Sequence, residues 1–358
     1  MKKLVLLMIP ILIWGASCDK ETKAKEEEMA DNNKAYHLTP PEPGDVYVAG
    51  TVEGKAVLWK NGFLQNLTDE TEHFFPQSVY ISGNDIYMAG YGSGAKLWKN
   101  GVVQKLDGHI AYSVFVSGGD VYVVGEKVVR ESYGFGGRGM PAIITAAILW
   151  KNGSEQYLTD GTNTAYAASV FVSGEDVYVA GSHNSPTVWK NGFEQKLSDA
   201  PFHGRVTSIY VSGKDVYVTG DFQHSVQQEA KQIAMLWKNG VEQKLTDETN
   251  NAFASSVFVS GYDVYVSGYE YIAGKQVATI WKNGVAQRLA DGANNTYAHS
   301  IYVSGKDVYV AGYEHIRSIS GEEIIADEEV ATVWKNGVAH KLAEGNYSTR
   351  ASSVFVVE

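Results

Sequence analysis

The sequence predicts an all-β protein, a seven-bladed β-propeller with four antiparallel strands in each blade. Three observations carry that prediction. The word Trp-Lys-Asn-Gly recurs seven times, beginning at Trp59, Trp98, Trp150, Trp189, Trp237, Trp281 and Trp334. The successive spacings of 39, 52, 39, 48, 44 and 53 residues lie in the range of propeller blades. The repeats also begin in mid-phrase and end in mid-phrase, so the two ends together complete one blade.

In chain order, residues 1–17 read MKKLVLLMIPILIWGAS. Lys2 and Lys3 form a positive start, and Leu4 to Trp14 is apolar but too short to span a bilayer as a mature helix. This predicts an export signal. The only cysteine, Cys18, follows Gly15-Ala16-Ser17 directly. The segment resembles the lipobox of bacterial lipoproteins, with Gly15 where leucine is usual. That resemblance implies that Cys18 is lipidated and becomes the mature N-terminus. With no second cysteine, no internal disulfide is expected. Residues 19–35 are charged and nearly free of large apolar groups, so 18–38 reads as the lipidated cysteine and a flexible tether. The acidic run of Asp19, Glu21 and Glu26 to Glu28 resembles the surface-export signal of Bacteroidota lipoproteins. Asp19 taken alone points instead to inner-membrane retention, by enterobacterial rules. The expected location is the bacterial cell envelope, lipid-anchored in the outer membrane, with the side of that membrane left open.

One full copy of the repeat runs from Ser256 to Asp291. Strand a is Ser256–Ser260 and strand b is Asp263–Gly268, joined at Gly261-Tyr262. Strand c is Ala278–Lys282 and strand d is Val285–Leu289. The Asn283-Gly284 step between them is a type I′ hairpin signal, present in all seven copies. The strands read as nearly continuous apolar runs, as expected for sheets covered on both faces. Tyr47, Tyr87, Tyr122, Tyr178, Tyr217, Tyr265 and Tyr309 occupy one position of strand b. These tyrosines and the seven tryptophans recur once per copy within apolar runs, so they read as packing between sheets rather than as ligand platforms. The serines ending strand a, such as Ser82 and Ser260, read as turn residues and not as nucleophiles.

Strand a is placed at the central channel and strand d at the rim. The a–b and c–d turns are short and constant. The b–c segments and the d–a crossovers are long and variable, and they share one face, where binding is expected. Asp45 to Gly50 is a strand b without a strand a before it, and Ser353 to Val357 is a strand a without a strand b after it. This resembles the velcro closure of WD40-type and kelch-type propellers. It implies that 353–357 pairs with 45–50 and closes a domain over 39–358, leaving no free sheet edge at the seam.

Candidate ligand contacts lie in the d–a crossovers, three residues before a recurring strand-a serine. They are Phe75, Tyr166, Arg205, Phe253, Tyr297 and Arg350, with Ile110 at the same register in the one remaining copy. Aromatic planes and two arginines at a channel mouth suit a sugar or an anionic group. Asn163, Asn250, Asn251, Asn294 and Asn295 stand nearby, as ligand amides or as ordinary turn formers. Four b–c segments are long: 126–146, 221–232, 269–276 and 313–329. The first holds YGFGGRGMP, where Arg138 could cradle an anion, although the lysine and strand-to-helix setting of a phosphate loop are lacking. The second, 221–232, carries Phe222, His224 and several glutamines, and the third, 269–276, extends a hairpin. The last ends in Glu322, Glu323, Asp327, Glu328 and Glu329, which could attract a cation or form a solvated acidic loop.

A formal charge of −11 without a basic patch argues against nucleic acid. No catalytic signature, metal-ligand spacing or cofactor motif is present. The repeats are similar to those of propeller lipoproteins from Bacteroidota-type bacteria, and in general plan to tachylectin-like sugar-binding propellers. Those resemblances imply architecture only. The expected protein is a monomeric, membrane-anchored binding or scaffold protein for a protein or glycan. The alternatives are an envelope-complex assembly component and a carbohydrate-active enzyme with carboxylates drawn from different blades.

Overall fold

Each Trp-Lys-Asn-Gly word folds into a two-residue hairpin whose asparagine and glycine both take positive φ, 47–53° and 80–94°. That is the type I′ geometry matching the right-handed twist of the flanking strands. The asparagine also ties the hairpin to strand b. Asn283 Oδ1 accepts the Val264 N–H at 2.9 Å, and its Nδ2 donates to Asp263 Oδ1 at 2.8 Å. Lys282 reaches Asp263 Oδ2 at 2.7 Å and lies 5.0 Å from the Tyr265 ring centroid. The same quartet of Asp, Tyr, Lys and Asn forms in every blade. The two recurring phrases of the sequence are therefore halves of one interacting unit.

The computed structural model describes residues 39–67, 73–132, 142–198, 203–223, 231–320, 323–343 and 348–358. The signal, Cys18, the tether and Arg138 lie outside them. The described residues form seven four-stranded antiparallel sheets, each in the order a–b–c–d. Six of them follow chain order. The seventh takes strand a, Thr349–Val356, from the C-terminal end and strands b to d, Val46–Val52, Lys55–Lys60 and Phe63–Asn66, from the beginning. Its closing ladder runs from Val46 opposite Val356 to Val52 opposite Thr349. We call this sheet blade 1 and number the others in chain order.

The core lies between sheets. Each described cluster joins two neighbouring blades; Leu236 and Leu245 of blade 5, for example, meet Val257 and Trp281 of blade 6. All seven repeat tryptophans are at most 2 % exposed. The indole N–H groups of Trp59, Trp98, Trp150, Trp189 and Trp281 have no acceptor among the described residues. Those side chains act through buried apolar area, as the sequence implied.

Strand a is longer than the pattern predicts, starting in blade 6 at Ala252 rather than Ser256. A β-bulge explains the difference. Ala254 pairs with Gly268 and Ser256 with Ser267, leaving Ser255 as an extra residue. The same irregularity occurs in every blade. It shifts the in–out alternation by one. Phe253, Ser256 and Phe258 thereby share the channel side while Ala254, Val257 and Val259 are buried between blades. The candidate contacts are therefore strand residues beyond the bulge, not crossover residues.

Two layers line the channel below the bulge. Ser78, Ser113, Ser208, Ser300 and Ser353 each accept a backbone N–H from the neighbouring strand a, at 3.1–3.4 Å. Two residues further along, Tyr80, Phe115, Phe171, Tyr210, Phe258, Tyr302 and Phe355 form an unbroken circle. Neighbouring centroids are 4.7–5.1 Å apart. This circle lies toward the constant-turn face.

The long b–c segments prolong their hairpins. Blade 3 extends strand b to Ser132 and blade 7 to Ser320, while blade 6 turns at Ala273-Gly274.

Candidate functional site at the channel mouth

On the variable face, each strand-a residue beyond the bulge pairs with the strand-b residue that follows a glycine. These pairs include Phe75 with Tyr91, Tyr166 with Ser182, Arg205 with Asp221, Phe253 with Tyr269, and Tyr297 with Tyr313. The glycine is needed because the bulge brings the two backbones close. A Cβ at Gly268 would lie 1.9 Å from the Phe253 carbonyl oxygen, and one at Gly312 would lie 1.8 Å from that of Tyr297.

Three pairs stack: Phe75 and Tyr91 at 5.3 Å, Phe253 and Tyr269 at 4.9 Å, Tyr297 and Tyr313 at 4.6 Å. The last two join, because Tyr269 meets Tyr297 edge-on at 5.1 Å. Arg205 stands over the Phe253 ring at 5.7 Å, and Arg350 over Tyr313 at 5.1 Å. The result is a continuous arc, Arg205–Phe253–Tyr269–Tyr297–Tyr313–Arg350, spanning blades 5, 6, 7 and 1. Tyr271 and His299 flank it.

Both guanidiniums are held by carboxylates. Arg205 Nε and Nη2 donate to Asp221 Oδ1 at 3.2 and 3.0 Å, while Gln232 donates to Oδ2. The Asp221 side chain is 2 % exposed and that of Arg205 is 60 % exposed, so a buried acid holds an accessible cation. Burial pushes the Asp221 carboxyl up, against the pull of Arg205. Arg350 forks onto both oxygens of Glu329, which also accepts from Ser348. Burial opposes the Glu329 charge, but the Arg350 hydrogen bonds outweigh it and its pKa falls below the ordinary value. Burial raises Tyr269 to about 12, and also raises Tyr297 and Tyr313, so these phenols remain donors. Burial, with Arg350 and Arg205 nearby, lowers His299 to about 4.

Of the predicted contacts, the structure gathers Arg205, Phe253, Tyr297 and Arg350 into the arc. Phe75 stands apart, stacked on Tyr91. Tyr166 serves the fold: its hydroxyl accepts the Val206 N–H at 3.0 Å, and its ring meets Tyr112 edge-on. Asn251 and Asn295 accept the backbone N–H of Gln232 and Gln276, so they organise crossovers. Tyr269, Tyr313, Asp221 and His299 escaped the sequence reading, and Glu329 stood there only in an acidic cluster read as loop, whereas the structure places it in strand Glu323–Lys335. For the first three, the signal was their place after the strand-b glycine.

Among the described residues no group of three or more His, Cys, Asp or Glu could hold a metal ion. A cleft of about 440 Å³ lies at the seam between blades 2 and 3, lined by Tyr87, Lys99, Gln104 and Asn152. Its lysine and asparagine are already held by Asp85 and Asp120, so it offers fewer open donors than the mouth.

No protein-family model matches the chain, and no curated protein is similar to it. Its fold is similar to the uncomplexed acylaminoacyl peptidase of Pyrococcus horikoshii, with a TM-score of 0.52 and 11 % identity over 85 % of this chain and 52 % of the peptidase. The orthorhombic form of that peptidase gives 0.50 and 13 %, over 83 % and 52 %. The chain thus spans about half the peptidase's length. A putative 6-phosphogluconolactonase from Bacteroides fragilis gives 0.47 and 12 %, over 88 % and 99 %. At such identities the likeness is one of fold alone.

Proposed function

We propose that the protein is a binding protein of the bacterial cell envelope that holds a protein or glycan ligand at the channel mouth. The observation that carries this reading is the arc of four aromatic rings closed at both ends by a guanidinium. Few accessible places on a folded domain combine aromatic area with fixed donors, and such combinations favour ligand binding. The anchor belongs to the same proposal. Residues 1–18 support a lipid on Cys18, the acidic run of Asp19, Glu21 and Glu26 to Glu28 supports an outer-membrane location, and the charged stretch 19–35 supports a tether that holds the propeller off the bilayer. Binding is favoured over catalysis because Asp221 and Glu329, the carboxylates of the arc, are engaged by arginines. Exposed apolar side chains such as Phe63, Val102, Phe193 and Val241 recur singly around the rim and do not favour an assembly role.

The test is a glycan array and an envelope-protein pull-down with the protein and with the double variant Phe253→Ala, Tyr297→Ala. Loss of the captured ligand with an unchanged melting temperature is the expected result. Full retention by the double variant would place the site elsewhere.

A further inference from the structure

The charges at the mouth narrow the ligand class, on the premise that the mouth is the binding site. Its cross-strand pairs hold Arg205 and Arg350 as cations and Glu126 and Asp221 as anions, and Glu329 adds a third anion. Two positive charges thus face three negative ones, on a protein of formal charge −11. An anionic ligand gains little from guanidiniums already neutralised by hydrogen-bonded carboxylates, and it meets the overall negative field. A cationic ligand would seek the aromatic faces. Two of those faces, on Phe253 and Tyr313, already carry guanidiniums, which repel a second cation.

What remains on offer is the outer rim of rings stacked on one another, and donors already paired with carboxylates. The arc presents stacked ring pairs 4.6 and 4.9 Å apart. Its guanidiniums are held by carboxylates on their Nε and Nη2 sides, so Nη1 is left to donate outward. An uncharged ring that carries both C–H groups and acceptor oxygens matches this surface. We infer that the mouth takes an uncharged saccharide, packed against the Phe253–Tyr297 arc and hydrogen-bonded at its hydroxyl groups by Arg205 and Arg350.

The test uses the purified full chain and a probe pair differing only in charge: hexagalacturonate and its fully methyl-esterified form. Neutral hexaoses of glucose, mannose and xylose, and the cationic hexamer of glucosamine, complete the set. Intrinsic fluorescence and calorimetry report binding. At least one neutral probe should bind at least about tenfold more tightly than either charged hexamer, a difference of about 1.4 kcal/mol. Its affinity should change less than about twofold between roughly 50 and 500 mM salt, since no net charge is screened. Glu329→Gln, which leaves Arg350 unpaired at the edge of the arc, should raise the affinity for hexagalacturonate several-fold. Tighter binding of a charged hexamer than of every neutral probe, or no binding of any probe, overturns the inference. Neutral binding that survives Phe253→Ala, Tyr297→Ala instead overturns the mouth as the site, so the two failures are told apart.

Discussion

His299 occupies the extra position of its bulge, beside Tyr297 and Tyr313. Burial and the two arginines hold its pKa near 4, against about 6.5 in the unfolded chain. Above pH 6.5 the imidazole is neutral in both states and contributes no pH dependence. Between about 6.5 and 4 the unfolded chain takes up a proton that the folded chain refuses, so stability falls as the pH is lowered through that window. The loss has an upper limit of about 3 kcal/mol, reduced by any water in the channel. Melting curves at pH 7 and pH 5 should therefore separate further for the protein than for His299→Gln. Equal separation would mean that the imidazole is charged in the fold. The glycine opposite each bulge gives a second residue-scale test. In Gly268→Ala the added methyl meets a backbone oxygen at 1.9 Å, with no flexible side chain to yield. Overpacking of this kind costs about 1–3 kcal/mol. Urea denaturation should show that loss, and a midpoint matching the parent would mean that the bulge relaxes freely.

At the scale of one blade, the Asn-Gly hairpin and the Asp-Tyr-Lys-Asn quartet do the same work seven times. Asn283 accepts positive φ more readily than other side-chain-bearing residues and makes two hydrogen bonds. Asn283→Ala should lower stability by about 1–2 kcal/mol, while Asn283→Gly keeps the backbone and should lose less. Both variants lose the hydrogen bonds, so reversal of that order in chemical denaturation would show that the positive φ does not limit stability here. This unit was legible in the sequence because both of its halves recur at fixed places in every copy. The bulge was not. An extra residue leaves no mark in an apolar run, and it breaks the alternation by which strand length is judged, so Phe253 and Tyr297 read as crossover residues. The mouth was therefore half legible. Its strand-a side showed as a register counted from a serine, and its strand-b side, Tyr269 and Tyr313, merged with the aromatic run that builds the sheets. Asp221 was hidden with the strand-a register, since it lies directly across the blade 5 hairpin from Arg205, whereas Glu329 of blade 7 meets Arg350 of blade 1 only once the ring is closed.

At the scale of the whole molecule, the ring depends on one ladder between distant ends of the chain. Strand Thr349–Val356 supplies the innermost strand of blade 1, and three other features depend on it. Phe355 completes the aromatic circle between Tyr302 and Tyr80. Ser353 accepts the Val79 N–H, and Ser300 accepts that of Val354, which ties blade 1 to both neighbours. Arg350 ends the arc. Removing 353–358 would expose the backbone edge of Val46–Ala49, open the circle and unpin two seams at once. Each blade buries its faces only against its neighbours, so damage at one seam is not contained. The truncated chain should therefore lose the cooperative melt of the parent rather than shift it by a few degrees. A synthetic peptide of residues 348–358, added in excess, should restore the transition by re-forming the ladder, with a midpoint that rises with peptide concentration. A truncated chain that melts like the parent without peptide would show that seven blades close by side-chain packing alone.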